Sequence, residues 1–130
     1  MRYLSPLRYP GGKARLAPFF TRLIRAQVPA PTHYAEPYAG GAGAALRLLT
    51  DGAVDHIHIN DINAGIAAFW RTITTPDGAE AFSRLINNTP VTIDQWHHQR
   101  TVYQAGEADD IALGFATFYL NRTNRSGILD

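Results

Sequence analysis

Glu36-Pro37-Tyr38-Ala39-Gly40-Gly41-Ala42-Gly43 sets three glycines in four positions directly after a carboxylate and a proline. Glycines so crowded let backbone amides approach a ligand, and the small apolar residues that follow (Ala44, Ala45, Leu46) favour a helix whose N-terminus faces it. Glu36 puts negative charge where a phosphate-cradling turn avoids it, and neither Lys-Ser nor Lys-Thr follows the glycines. A nucleoside carrying a positive group suits the run better than a polyphosphate. Asp61 falls twenty positions after Gly41, where a carboxylate ending a second strand accepts hydrogen bonds from ribose hydroxyls. A nicotinamide fingerprint starting at Gly41 and Gly43 would need glycine where Leu46 stands. A P-loop ending at Gly12-Lys13 would need glycine at Leu7 and Ser or Thr at Ala14. A tight structural turn beside a solvated Asp61 is the plainer alternative.

Pro10-Gly11-Gly12-Lys13 is the second group. Lys13 is the one lysine among eleven arginines, and it projects from the start of a helix, the wrong end for a cation. A nearby anion, such as a ligand carboxylate, would explain it. The third group closes the chain: Asn121, Arg122, Asn124 and Arg125 follow Phe118-Tyr119-Leu120. Amides and guanidiniums read base edges and hold phosphates, although the helix dipole alone also favours a basic C-terminus. His56 and His58 share a strand face with no third ligand in view, so no metal is expected. His97 and His98 point to different sides of a helix, at the surface. Trp70 and Trp96 read as core or half-buried residues.

The elements that must position these groups follow from periodicity. Tyr9 to Lys13 is a turn opening a helix on which Leu16, Phe19, Phe20 and Leu23 recur, closed by Pro29 and Pro31. His33 to Glu36 is a strand, Ala42 to Leu49 a helix ended by Asp51-Gly52, and His56 to Asp61 a second strand. Asn63 caps a helix with Ile66, Phe69, Trp70 and Ile73 on one face. Three helices come next: from Thr75-Pro76 through Ile86, from the Thr92/Gln95 capping box through Tyr103, and from Asp109 or Asp110 with Ile111, Phe115 and Phe118 on one stripe. Asn121 to Gly127 reads as a turn. The expected class is α/β, half of a doubly wound sheet followed by a helical part, with a boundary within 74–78.

Composition fits one globular domain: 130 residues, 45% apolar and 18% charged. The lack of cysteine excludes disulfides and thiolate metal sites, and no stretch is long enough for a membrane span. Met1 to Pro6 lacks the apolar core of a signal peptide, so a cytoplasmic protein is expected. Net charge is only +1, yet six of the twelve basic residues (Arg2, Arg8, Lys13, Arg15, Arg22, Arg25) precede Val28 and no acid appears before Glu36. That segment could touch phosphate or an acidic ligand, or simply be solvated. Two strands and no closing element lead to the expectation of an N-terminal fragment.

Taken in order, Tyr9-Pro10-Gly11-Gly12-Lys13, Glu36 to Gly43, Asn60-Asp61-Ile62-Asn63 and Tyr119 to Gly127 make the chain similar to the N-terminal part of a DNA adenine-N6 methyltransferase of the D12 (Dam-like) class. The resemblance implies an incomplete S-adenosylmethionine-dependent methyltransferase sheet, Rossmann-like, with a helical DNA-recognition insertion. Residues 1–75 would be the cofactor-binding part and 76–130 the start of the insertion. It implies that Tyr9 lies on the cofactor and Lys13 holds its methionine carboxylate. Glu36, Pro37, Tyr38, Gly40, Gly41 and Gly43 would form the cofactor loop, Asp61 would bind the ribose hydroxyls, and Ile62 would cover the adenine. Asn121, Arg122, Asn124 and Arg125 would meet double-stranded DNA near the target base.

A monomer is implied, with a cognate restriction endonuclease where the setting is restriction-modification. The family's Asp-Pro-Pro-Tyr motif, whose acid and a backbone carbonyl grip the amino group of a flipped adenine, is absent: no two of the eight prolines are adjacent. The chain as given is therefore expected not to catalyse. A truncated remnant that binds cofactor or DNA, or a nucleotide-dependent oxidoreductase, are the other readings.

Overall fold

Residues 3–10 and 12–129 are described by the structure, a computed structural model. Met1, Arg2, Asp130 and the Gly11 of the glycine-lysine turn lie outside the described residues. The chain divides into two compact units, Met1–Asp61 and Ile62–Asp130.

In the first unit a 3₁₀ turn at Lys13–Leu16 leads into α1 (Ala17–Arg25), with Pro18 in the first turn, where its missing N–H costs nothing. β1 (His33–Glu36) and β2 (His56–Ile59) pair in parallel, His33 opposite His56 and Glu36 opposite Ile59. A parallel pair needs a crossover, and α2 (Gly43–Thr50) supplies it. Asn60 N–H donates to Glu36 O (3.1 Å) and Ala39 N–H to Asn60 O (2.9 Å), so the loops leaving the two strands are tied together. Ile24, Leu48 and Val54 form the core, with Phe20, Tyr34, Ala53 and Ile57 against it.

Both strands and both expected helices are present, the first helix opening through the 3₁₀ turn and the second strand ending at Ile59 instead of Asp61. The buried face of α1 differs: Ala17 and Ile24 are buried and Phe20 half-buried, while Leu16, Phe19 and Leu23 are exposed. The apolar recurrence was real, but the face turned to the core is one position further round.

The second unit is helical: α3 (Ala64–Ile73), α4 (Pro76–Asn88), α5 (Ile93–Ala105) and α6 (Asp110–Thr123), followed by a 3₁₀ turn at Arg125–Gly127. Asn63, Thr75, Thr92 and Asp109 each cap a helix, their side chains accepting from the amides of Ile66, Gly78, Gln95 and Ala112. α3 lies close on α6, since a Cβ at Gly114 would meet the Phe69 backbone at 2.8 Å and one at Gly65 would collide with Thr117 Oγ1. Phe69, Phe82, Phe115 and Phe118 interlock with ring centres 5.3–5.9 Å apart. The units divide after Asp61, upstream of the 74–78 boundary, because α3 carries Ile66, Phe69 and Trp70 into this helical core. Asn121 and Arg122, expected in a turn, belong to α6, which continues through Thr123.

Candidate functional site

The carboxylate of Glu36 is the centre of the first unit's polar structure. It ends β1 and is only 3% exposed, with the α2 amide of Ala45 donating to it. It thus occupies the place an anion takes at a helix N-terminus. Lys13 Nζ lies 3.7 Å from Oε1 and donates to the Tyr38 carbonyl at 2.6 Å. Tyr34 Oη donates to Oε1 at 3.5 Å, while the buried Oε2 has no hydrogen-bond partner among the described residues. Burial raises the Glu36 pKa above the ordinary carboxylate value, and the Lys13 charge and the Ala45 amide pull it partly back. The Tyr34 hydroxyl is pushed up to about 12 by burial and then by the charge of Glu36.

The glycine turn lies beside this carboxylate. Gly40 and Ala42 are left-handed, each with φ of 50°, and Gly40 and Gly41 are buried. A Cβ at Gly40 would strike the Tyr9 ring at 2.7 Å, so the Tyr9 ring rests on the turn. A Cβ at Gly41 would meet Ser5 Oγ at 2.9 Å, and one at Gly43 the Ala14 methyl at 2.9 Å. Gly43 therefore lets the start of α2 approach the Lys13–Leu16 turn. Gly40 N–H donates to Asp61 Oδ2 at 2.8 Å, which ties the second strand's terminal acid to the first strand's turn. Lys13, Glu36, Asp61 and the three glycines are thus brought together. Pro37 and Tyr38 are exposed, and Ile62, which follows Asp61 in the chain, is 89% exposed.

At the end of α6 the four polar residues separate into two kinds. Asn121 is fully buried, its Nδ2 donating to Gly127 O at 3.0 Å. Asn124 Oδ1 accepts from Trp96 Nε1 at 2.6 Å and its Nδ2 donates to Ile128 O at 2.7 Å. These two amides build the corner, whereas Arg122 and Arg125 are exposed on it. Ser126 (φ 57°) and Gly127 (φ 73°) turn the chain there. Arg100 was missed by sequence reading. Its guanidinium lies 5.4 Å over the ring of Trp96, the residue bonded to Asn124, so it joins the same corner. Only the fold could reveal this, since α5 and α6 meet through that tryptophan.

Comparison with family models matches residues 9–129 to the D12 class N6 adenine-specific DNA methyltransferases. The chain belongs to this family. Comparison with individual curated proteins returned no match. The D12 match runs from Tyr9 to Leu129 and so takes in the glycine turn, Asp61 and the α6 corner together. It assigns the chain to a family of DNA-modifying transferases, and no helix among the described residues is long and apolar enough to cross a membrane.

Proposed function

We propose that the Met1–Asp61 unit holds S-adenosylmethionine and that the α6 corner meets double-stranded DNA, the donor and substrate sides of adenine-N6 methylation. The observation that carries the cofactor reading is the buried Glu36 Oε2 beside a glycine turn, an acceptor without a donor among the described residues. A buried carboxylate oxygen left so costs stability, and a ligand ammonium would satisfy it. When bound, the cofactor supplies an electrophilic methyl group on a sulfonium. Lys13 would leave the Tyr38 carbonyl for the ligand carboxylate, and Glu36 would exchange the lysine for the ligand's ammonium. Asp61, held by Gly40 N–H, would accept from the ribose hydroxyls, and Gly41 and Gly43 keep side chains out of the turn. Tyr9 would border the ligand from its place on Gly40, with Ile62 toward the base.

Arg122, Arg125 and Arg100 would hold phosphates, a positioning role without sequence information, while Asn121 and Asn124 keep the corner in shape. The setting is modification of bacterial or phage DNA, with or without a cognate endonuclease. The chain contains no Asp-Pro-Pro-Tyr-like tetrapeptide, which favours a second reading in which it binds both ligands and transfers no methyl group. Tritiated S-adenosylmethionine and an adenine-containing duplex separate the two. Retention of label on the protein with none on DNA supports binding alone, and label on DNA supports transfer. No label on either overturns both. In a mobility shift, Arg122→Ala with Arg125→Ala should weaken duplex binding and flatten its salt dependence; an unchanged shift would remove the corner from the interface.

A further inference from the structure

The face of the β1–β2 pair turned away from the Ile24, Leu48 and Val54 core carries three imidazoles that the function above does not use. Strand alternation sets His33, His56 and His58 on that face, and all three are exposed. His33 stands opposite His56 in the register, with ring centres 4.7 Å apart and planes at 29°. The relation to His58 is different. His33 Nδ1 and His58 Nε2 are 2.9 Å apart while the ring centres are 5.2 Å apart and the planes differ by 14°. The two nitrogens therefore lie close to the line joining the ring centres, and the rings nearly share a plane. The lone pair of one is aimed at the other nitrogen, with one proton between them.

We propose that His33 and His58 form a two-nitrogen site for a divalent transition-metal ion of the imidazole-binding kind, such as Zn²⁺, Ni²⁺ or Cu²⁺, with His56 covering His33. Neutral imidazole is the commonest protein ligand for these ions. Zinc–nitrogen bonds of about 2.0–2.1 Å in a tetrahedral ion put two ligating nitrogens roughly 3.3 Å apart, a small step from the 2.9 Å seen. Because both rings are exposed, a modest rotation opens that gap without disturbing the core. The ion takes the place of the bridging proton, which passes to solvent or to the outer nitrogen of one ring. Water completes the coordination, since among the described residues no group of three His, Cys, Asp or Glu is arranged to hold a metal ion. The three imidazoles lie on the face of the strand pair opposite to the one that carries Tyr34 and Glu36, so the site is independent of the cofactor reading.

Calorimetric titration of the full chain with ZnCl₂, and separately with NiCl₂, tests this. The expected result is one saturable ion per chain, weakened at least about tenfold by His33→Ala and by His58→Ala and by less than about threefold by His56→Ala. His97→Ala and His98→Ala on α5 should leave the titration unchanged. Absence of saturable binding would overturn the proposal. So would parental affinity in both His33→Ala and His58→Ala, or loss of binding in the α5 variants. Circular dichroism of each variant guards against unfolding, which exposed side chains make a small risk.

Discussion

The two units use glycine for opposite ends. In Ile62–Asp130, Gly114 brings the backbones of α3 and α6 together, so an added Cβ meets main chain that cannot yield. In Met1–Asp61, Gly40 and Gly41 lie under the Tyr9 ring and Ser5 Oγ, side chains that can move aside. The helical unit is held by apolar contact that tolerates no intrusion. The strand unit keeps space and polar atoms around one buried carboxylate. Stability should concentrate in the first kind of glycine and ligand binding in the second.

The largest expected effect is in the helical core. Phe69 is 1% exposed and touches the rings of Trp70, Phe82 and Phe118, so Phe69→Ala should cost about 3–5 kcal/mol. Urea denaturation followed by far-ultraviolet circular dichroism reads this, and a loss below about 1 kcal/mol would mean the core lies elsewhere. Next comes a matched pair of glycine substitutions. Gly114→Ala should destabilise by about 1–3 kcal/mol through overpacking. Gly41→Ala should cost less in stability, because Ser5 can yield, while lowering cofactor affinity. Equal stability losses in the two would break the contrast drawn between the units.

Glu36 gives a prediction in pH. Its folded pKa lies above the unfolded value because burial disfavours the charge, so its stabilising share is fully present below the unfolded pKa. That share is lost as pH rises through the folded value. Glu36→Gln keeps an acceptor for the Ala45 amide and removes the charge, so its melting temperature should gain on the parent's as pH rises across that window. A constant difference from acid to neutral pH would show that the carboxylate is not held as described. The smallest effect belongs to the exposed Arg71–Asp110 pair, bidentate at 2.7 and 2.8 Å. Arg71→Ala should change stability by no more than about 1 kcal/mol, and less in high salt.

Much of this was legible in the chain because the signals are local. Asn63, Thr75, Thr92 and Asp109 announce helix starts through capping chemistry, and the alternation His56-Ile57-His58-Ile59 announces a strand. What needed the fold depends on contacts distant in sequence. Nothing near Asn121 foretells that its amide turns inward to Gly127 O and leaves Arg122 outside. The exposed side of α1 was hidden by apolar residues on two adjacent faces. His33 became a neighbour of His56 and His58 only through the parallel register. The association of Lys13, Glu36 and Asp61 was inferred from spacing and resemblance, and the structure adds the Gly40–Asp61 bond that locks the turn.

The central claim is that this turn holds S-adenosylmethionine, and calorimetric titration of the parent, Lys13→Met and Asp61→Ala with that compound tests it most directly. The expected result is one cofactor bound per parent chain, at least about tenfold weaker binding in each variant, and no binding of a nicotinamide dinucleotide. No detectable binding by the parent, or parental affinity retained in both variants, would contradict it.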